Sequence, residues 1–467
     1  MNLASEIILV YASIAVAIFL YSDALLIYLL TKLYSKKIIE VSDREADMVP
    51  DSKLPIVTVL LPVYREEITL PYLVKSVMQQ RYPRNKLDVR ILVEPDDHHT
   101  LKAIIALPDQ AGQTNAIKYN RYGFPKTVRV WEGAEISIDY VYLHPKGART
   151  KPNALNKGLT NAKGSIVTIF DAEDRPDPRQ IRKAVTYMLK HSEVSCVQAR
   201  LAYYNPDQSI ITKMFSIEYV QQFMVYLPLY HSLKKVVLLG GTSNYIRTDV
   251  LRNLEGWDYA NVTEDADLGI RLTRLGYQTV PINTITWEEA PPKIYPWLKQ
   301  RTRWNKGFIY TCLLHFKKPR ALVRDLGWTP VLFLLYILSS PVIFCASLPG
   351  WILFSLWWLN WFGVPLHPIA DWIQEAFKNN SMVFYLSIFT FLFGIFYSPI
   401  IALEALFRQG DEYSLKKIKY SFFTSLYMDL QSIPSTIAIF ELLFKPKHWH
   451  KTPHGFYVQS QNIKPHQ

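Results

Sequence analysis

"IVTIFDAEDRPDP", residues 166–178, joins an apolar run, Ile166 to Phe170, to a knot of four carboxylates, Asp171, Glu173, Asp174 and Asp177. The continuous run reads as a strand buried on both faces. Carboxylates this close repel and raise one another's pKa, so a cation or a basic group is expected among them. In an extended chain residues two apart point the same way, so Asp171 and Glu173 project together from the strand end while Asp174 is turned aside or reached by the following bend. Hard oxygen ligands at an open position suit Mg²⁺ or Mn²⁺, whose remaining ligands come from water and substrate phosphates. Asp174 is a candidate third ligand, and Asp177 reads as the N-cap of a helix over "PRQIRKAV".

Three further apolar runs share this pattern: "IVTVLLPVY" (56–64), "VRILVEP" (89–95) and "VSCVQARLAYY" (194–204). With helical stretches between them they predict an α/β domain, doubly wound on a mostly parallel sheet, over residues 51–320. Ligands of such folds bind at the carboxyl ends of the strands. The runs at 56, 89 and 165 end in "YREE", "EPDDHH" and "DAEDRPDP", which places the binding site there.

On either side the composition changes. Of the 467 residues 49% are hydrophobic and 14% aromatic, richer than a soluble protein usually is, so a membrane component is expected. Glu6 to Leu33 is long enough to cross a bilayer. It lacks a basic leader and a cleavage site, and Asp23 interrupts it, so residues 1–40 read as an anchor. Lys32, Lys36 and Lys37 follow it, which puts its C-terminal side, and with it the catalytic domain, in the cytoplasm. Residues 326–364 are too long for one span, with a break expected at Pro341 or Pro349. Residues 382–406 read as a clear span and 420–444 as a weaker one, giving four or five spans in all, three or four of them (or interfacial helices) in the region 326–445. A basic tail, 446–467, follows. The chain carries 52 Lys and Arg against 40 Asp and Glu, a net +12 with no isolated basic block, which suits the cytoplasmic flanks of membrane segments better than nucleic-acid binding. Three cysteines without a CxxC fit neither a disulfide framework nor a zinc site.

Three other stretches bear chemistry. "NVTEDADLGIRLTRLG" (261–276) predicts a helix with Thr263, Glu264, Asp265 and Asp267 at its start, where capping and the helix dipole keep a carboxylate's pKa low. Such a group is a modest base, useful where geometry brings it to an acceptor hydroxyl. "WLKQRTRWNKG" (297–307) reads either as a basic interfacial anchor or as a phosphate and sugar site, since Arg301 and Arg303 can grip phosphate oxygens and Trp304 offers a flat face. In "KGARTKPNALNKGL" (146–159), Lys151 and Asn153 stand just before a short helix beginning near Ala154, where a phosphate could bind. No GxGxxG follows a strand and no GxxxxGK[ST] occurs, so nicotinamide and P-loop readings lose their main support.

In this order the motifs resemble those of membrane-embedded family-2 glycosyltransferases, the group of cellulose synthase, hyaluronan synthase and cellulose-synthase-like glucomannan synthases. "LPVYREE", "EPDD", "RTKPNALN", "DAED", "TED" and "QRTRW" carry the resemblance between about Pro55 and Gly307, and "WHKTPHG" (449–455) extends it to the tail. It implies a GT-A-like fold. By resemblance Pro62 shapes the turn, Tyr64, Glu66 and Asp96 contact the nucleoside, and Lys151 and Arg301 contact the donor's diphosphate. Asp171 and Glu173, with Asp174 as a further candidate, would hold Mg²⁺ or Mn²⁺. Asp265 would be the base, beside Glu264. Gln300, Arg303 and Trp304 would bind diphosphate and acceptor sugar, and Gly241 and Thr242 of "GGTSNYIR" would lie on the acceptor side. The pattern departs from the family in reading D-x-E for D-x-D and in a long segment between Asp97 and Lys146.

The implied reaction is a single inverting displacement on a nucleotide sugar of the UDP-glucose or GDP-mannose type, extending a β-linked polysaccharide at the membrane. Glycosylation of a lipid acceptor is the alternative within the class. A non-catalytic transporter is the alternative outside it, and it would place its polar residues across many spans rather than in the soluble domain.

Overall fold

Val57–Val63 (β1) alternates its side chains between two apolar layers, and its burial on both sides explains why the sequence shows a run rather than an alternation. Val57, Val59, Leu61 and Val63 enter one core with the helices Leu70–Met78 and Gln180–Lys190. Leu60 enters the other, with Leu155 and Leu159 of the helix Lys151–Asn161 and Leu268 and Leu272 of the helix Glu264–Arg274. Each fully buried Leu or Val contributes about 1.5–3 kcal/mol. The computed structural model describes residues 2–33, 38–110, 117–131, 134–142, 150–364, 367–410, 416–444 and 455. Lys36, Lys37, the loop 146–149 and the tail other than Gly455 lie outside them.

The remaining strands are Leu87–Val93 (β2), Ile117–Tyr119 (β3), Pro125–Trp131 (β4), Ala134–Tyr140 (β5), Ile166–Ile169 (β6), Arg175–Pro176 (β7), Val194–Tyr203 (β8), Asn244–Arg247 (β9) and Gln278–Glu288 (β10). They form one sheet in the order β3-β4-β5-β2-β1-β6-β9-β8-β10-β7. The run β5-β2-β1-β6 is parallel, as is β8 with β10, while β9 runs antiparallel between β6 and β8. The doubly wound, mostly parallel α/β expectation therefore holds. β3 to β5 fill the segment after Asp97 that no motif explained, as an antiparallel meander on one edge. Gly164 lets β6 start against β1, since a Cβ there would stand 2.4 Å from the Thr58 nitrogen.

Asp177 is not the helix cap that its position suggested. The helix Gln180–Lys190 has Arg179 at its N-cap and no side-chain cap bond. Pairing of β7 with β10 draws Asp177 to the sheet, where its N–H donates to the Ile285 carbonyl at 2.9 Å and its Oδ2 accepts the Ile285 N–H at 3.3 Å.

The chain divides into two compact units. One comprises Lys37–Trp297, Lys318–Pro330 and Lys451–Gln467 and holds the sheet. The other comprises Met1–Lys36, Leu298–Lys317 and Val331–His450 and is helical. Three helices among the described residues are long and apolar enough to cross a membrane: Leu3–Lys32, Trp328–Trp361 and Ser381–Gln409. The expected break at Pro341 or Pro349 does not occur, because both prolines lie inside one 34-residue helix. Apolar helices tolerate proline where a neighbour satisfies the loosened carbonyls. Here the Tyr11 hydroxyl donates to the Ala346 carbonyl at 2.7 Å, in the turn before Pro349. Residues 420–444 do not form a fourth long span. They fall into the short helices Ile418–Ser421, Thr424–Asp429 and Ser432–Phe444.

Candidate active site

The strand ends of β1, β2 and β6 lie on one edge of the sheet unit, and the acidic residues there take different positions. After β6 the chain turns, the Asp174 N–H donating to the Asp171 carbonyl at 3.0 Å; Ala172 and Asp174 are buried, while Asp171 and Glu173 are half-buried. Asp174, the candidate third ligand, is fully buried. Its Oδ2 accepts the Asp171 N–H at 2.7 Å and the Thr242 hydroxyl, and its Oδ1 has no hydrogen-bond partner among the described residues. Burial, followed by the charges of Glu288, Asp171 and Glu173, pushes its pKa well up.

The expected basic group is Lys151. It is the first residue of the helix Lys151–Asn161, which begins earlier than predicted because the Thr150 side chain caps the Asn153 N–H. Its Nζ lies 2.5 Å from Asp171 Oδ1 and 2.7 Å from Oδ2, and donates to the Gly241 carbonyl at 2.7 Å. A Cβ on Gly241 would stand 3.3 Å from Asp265 Oδ2 and 3.5 Å from Lys151 Nζ, so the bare backbone lets both charged groups close in. Burial pulls the Lys151 pKa down, but Asp171, Glu264 and Asp265 outweigh it and hold the ammonium above its ordinary range.

Asp265 opens the helix Glu264–Arg274, and its Oδ1 accepts the Ala266 N–H at 2.8 Å, whereas Thr263 makes no side-chain cap. The low pKa expected of a carboxylate at a helix start is not what results. Burial pushes Asp265 up against the Ala266 N–H and Lys151, and burial followed by Asp265 does the same to Glu264. A raised carboxylate is the better proton acceptor near neutral pH.

At the other two strand ends the structure separates residues that the motifs grouped. Asp96 is exposed. Asp97, which sequence reasoning passed over, is buried: its Oδ2 accepts the Arg65 N–H at 2.6 Å and its Oδ1 accepts the Thr100 N–H at 3.2 Å. Its position three residues before Thr100, at the start of a helix, was the available signal. Glu66 is buried and accepts the Thr69 hydroxyl at 2.8 Å. Pro62 and Tyr64 are half-buried, with the Arg65 guanidinium 5.2 Å from the Tyr64 ring centroid. Gln198 was also missed. Its buried amide accepts the Gly240 N–H at 2.9 Å and donates to the Thr242 carbonyl at 3.0 Å, holding the "GGT" turn across the sheet.

Gln300, Arg301, Arg303 and Trp304 belong to the helical unit, on the helix Ile294–Phe316. Arg301 is buried there, 3.2 Å from the Tyr427 hydroxyl and 4.9 Å from the Trp304 ring centroid. Among the described residues no three His, Cys, Asp or Glu side chains group closely enough to cage a metal. Asp171 and Glu173 nevertheless have the donor chemistry of an open Mg²⁺ or Mn²⁺ site, two half-buried hard-oxygen carboxylates in the turn after β6.

Residues 166–370 match the model of glycosyl transferase family group 2. The chain is 26% identical over 360 residues to the probable glycosyltransferase YdaM of Bacillus subtilis (strain 168), a match covering 73% of this chain and 80% of that protein. It is 23% identical over 257 residues to probable glucomannan 4-beta-mannosyltransferase 7 of Oryza sativa subsp. japonica, covering 54% of this chain but only 40% of the plant protein. The mannosyltransferase PcManGT from Pyrobaculum calidifontis, solved in complex with GDP-Man and Mn²⁺, aligns over 90% of this chain and 99% of its own with a TM-score of 0.53 at 16% identity, a likeness of fold. The resemblance read from the motifs and the GT-A-like fold it implies both hold.

Proposed function

We propose that this chain, a glycosyltransferase of the family-2 type, is an inverting hexosyltransferase that extends a β-linked polysaccharide at the cytoplasmic face of a membrane. The observation that carries this is the meeting of Lys151, Asp171 and Asp265 around Gly241. It sets a cation, a metal-type carboxylate and a raised carboxylate base in one small space.

Asp171 and Glu173 would hold Mg²⁺ or Mn²⁺, which when bound supplies Lewis-acid stabilisation of the departing diphosphate. Lys151 offers three donors to the same phosphate oxygens. Asp265 accepts the proton of the acceptor hydroxyl as that oxygen attacks the anomeric carbon. The bond to the diphosphate breaks as the new glycosidic bond forms, so an α-linked donor yields a β-glycoside. Pro62, Tyr64, Glu66 and Asp96 form the nucleoside side, Gly241 and Thr242 the acceptor side. Gln300, Arg301, Arg303 and Trp304 are proposed as diphosphate and acceptor residues from the motif resemblance alone. A GDP-mannose donor is favoured by the mannosyltransferase relatives, with UDP-glucose next.

The test is transfer by the purified full chain with Mn²⁺ and a panel of GDP- and UDP-sugars, comparing wild type with Asp265→Asn. One donor should release its nucleoside diphosphate and yield β-linked product, and the variant should lose about 10²–10⁴-fold in rate. Full activity in Asp265→Asn removes the base assignment, and silence with every donor removes the enzymatic reading. Recovery of product in the lipid phase rather than as polymer would turn the assignment to a lipid acceptor.

A further inference from the structure

Lys151 does more in this arrangement than wait for a diphosphate. Its ammonium takes both oxygens of Asp171, at 2.5 and 2.7 Å, and a third bond anchors it to the Gly241 carbonyl at 2.7 Å. The backbone beneath it is fixed, because the helix is capped by Thr150 and pinned in the core by Leu155 and Leu159. The four-carbon stem is the only part free to swing.

We propose that Lys151 is a built-in competitor of the divalent cation at Asp171, and that the donor's diphosphate relieves the competition by drawing the ammonium away. The inference rests on the reading of Asp171 and Glu173 as the cation-holding pair. A divalent ion on Asp171 beside the bound ammonium would gather three positive charges at one half-buried carboxylate, where water screens them poorly. A diphosphate brings the negative oxygens that let the ammonium leave Asp171 without losing its hydrogen bonds, and the same oxygens then complete the ion's coordination. Cation and donor thus assist each other's binding, and by linkage the assistance is reciprocal. A purely structural ion pair would behave otherwise: removing Lys151 would leave cation affinity unchanged, or lower it by loosening Asp171.

The experiment is Mn²⁺ binding to the purified full chain without any nucleotide, followed by loss of the free-ion EPR signal. Lys151→Met should bind Mn²⁺ at least about tenfold more tightly than wild type, and Lys151→Arg, which keeps the charge, should remain as weak as wild type. Lys151→Gln is read in the same way should the methionine variant prove unstable. Equal or weaker Mn²⁺ binding in the neutral variants overturns the proposal. Asp171→Asn separates the two levels of the argument. If it leaves Mn²⁺ binding intact, Asp171 is no ligand and the metal reading itself fails. If it abolishes binding while Lys151→Met changes nothing, only the competition is refuted.

Discussion

The acidic ends of β2 and β6 carry similar sequences, "EPDDHH" and "DAEDRPDP", and the fold treats them in opposite ways. After β2 the buried carboxylate, Asp97, is satisfied by backbone: the N–H groups of Arg65 and Thr100 close on it and tie the end of β1 to the next helix. After β6 the half-exposed carboxylate, Asp171, is satisfied by a side-chain cation that reaches it from another element. Backbone donors cannot leave, so Asp97 is committed to structure. An ammonium on a flexible stem can leave, so Asp171 stays available for chemistry. Acidic density alone does not mark a site, and the nature of the counter-charge does.

The largest effect should come from breaking the β6 side. If Asp171 holds the divalent cation as proposed, Asp171→Asn removes a ligand of the ion that would offset charge on the departing diphosphate, and such losses run to about 10²–10³-fold in rate. Because Lys151 keeps Glu264 and Asp265 as counter-charges, the thermal midpoint in detergent should hardly move. A drop of several degrees would show Asp171 to be as structural as Asp97. The β2 side should break the other way. Asp97→Ala strands two backbone N–H groups, at a cost of about 1–3 kcal/mol, so the midpoint should fall by several degrees. Turnover measured well below that midpoint should stay within about threefold of wild type. A hundredfold loss of turnover without a change in melting would instead move Asp97 into the donor site.

What the residues revealed in advance follows the same division between local and distant causes. The buried strands of the sheet are local consequences of continuous apolar runs, and they were legible. The meander β3 to β5 was not read from the sequence, although Val128, Val130, Ile136 and Ile138, all buried in the core on a period of two, carried the signal. Asp177 was misread because its partner, Ile285, is supplied by a strand more than a hundred residues away. Pro341 and Pro349 were expected to break a helix that tertiary contacts, such as Tyr11 with Ala346, keep whole. Gln198 offers no local signal at all, since a buried amide in a strand acquires its meaning only from the turn it meets across the sheet.

Glu264 sharpens the comparison, because Asp171 and Asp265 share with it the cation that lowers its pKa, Lys151. Burial first, and then Asp265, raise its pKa above the ordinary glutamate range, with Lys151 opposing them. The sign follows from proton binding. A carboxyl whose pKa is higher folded than unfolded binds more protons in the folded state, so its contribution to stability is fully present at acid pH and is lost as pH rises through the folded value. Glu264→Gln resembles the protonated form at every pH. In EDTA, the midpoints of wild type and variant should therefore converge near about pH 5 and separate in the variant's favour toward about pH 8. If wild type instead gains on the variant as pH rises, the attraction of Lys151 exceeds the cost of burial. Glu264 would then belong with Asp171, as a second carboxylate held by the movable cation.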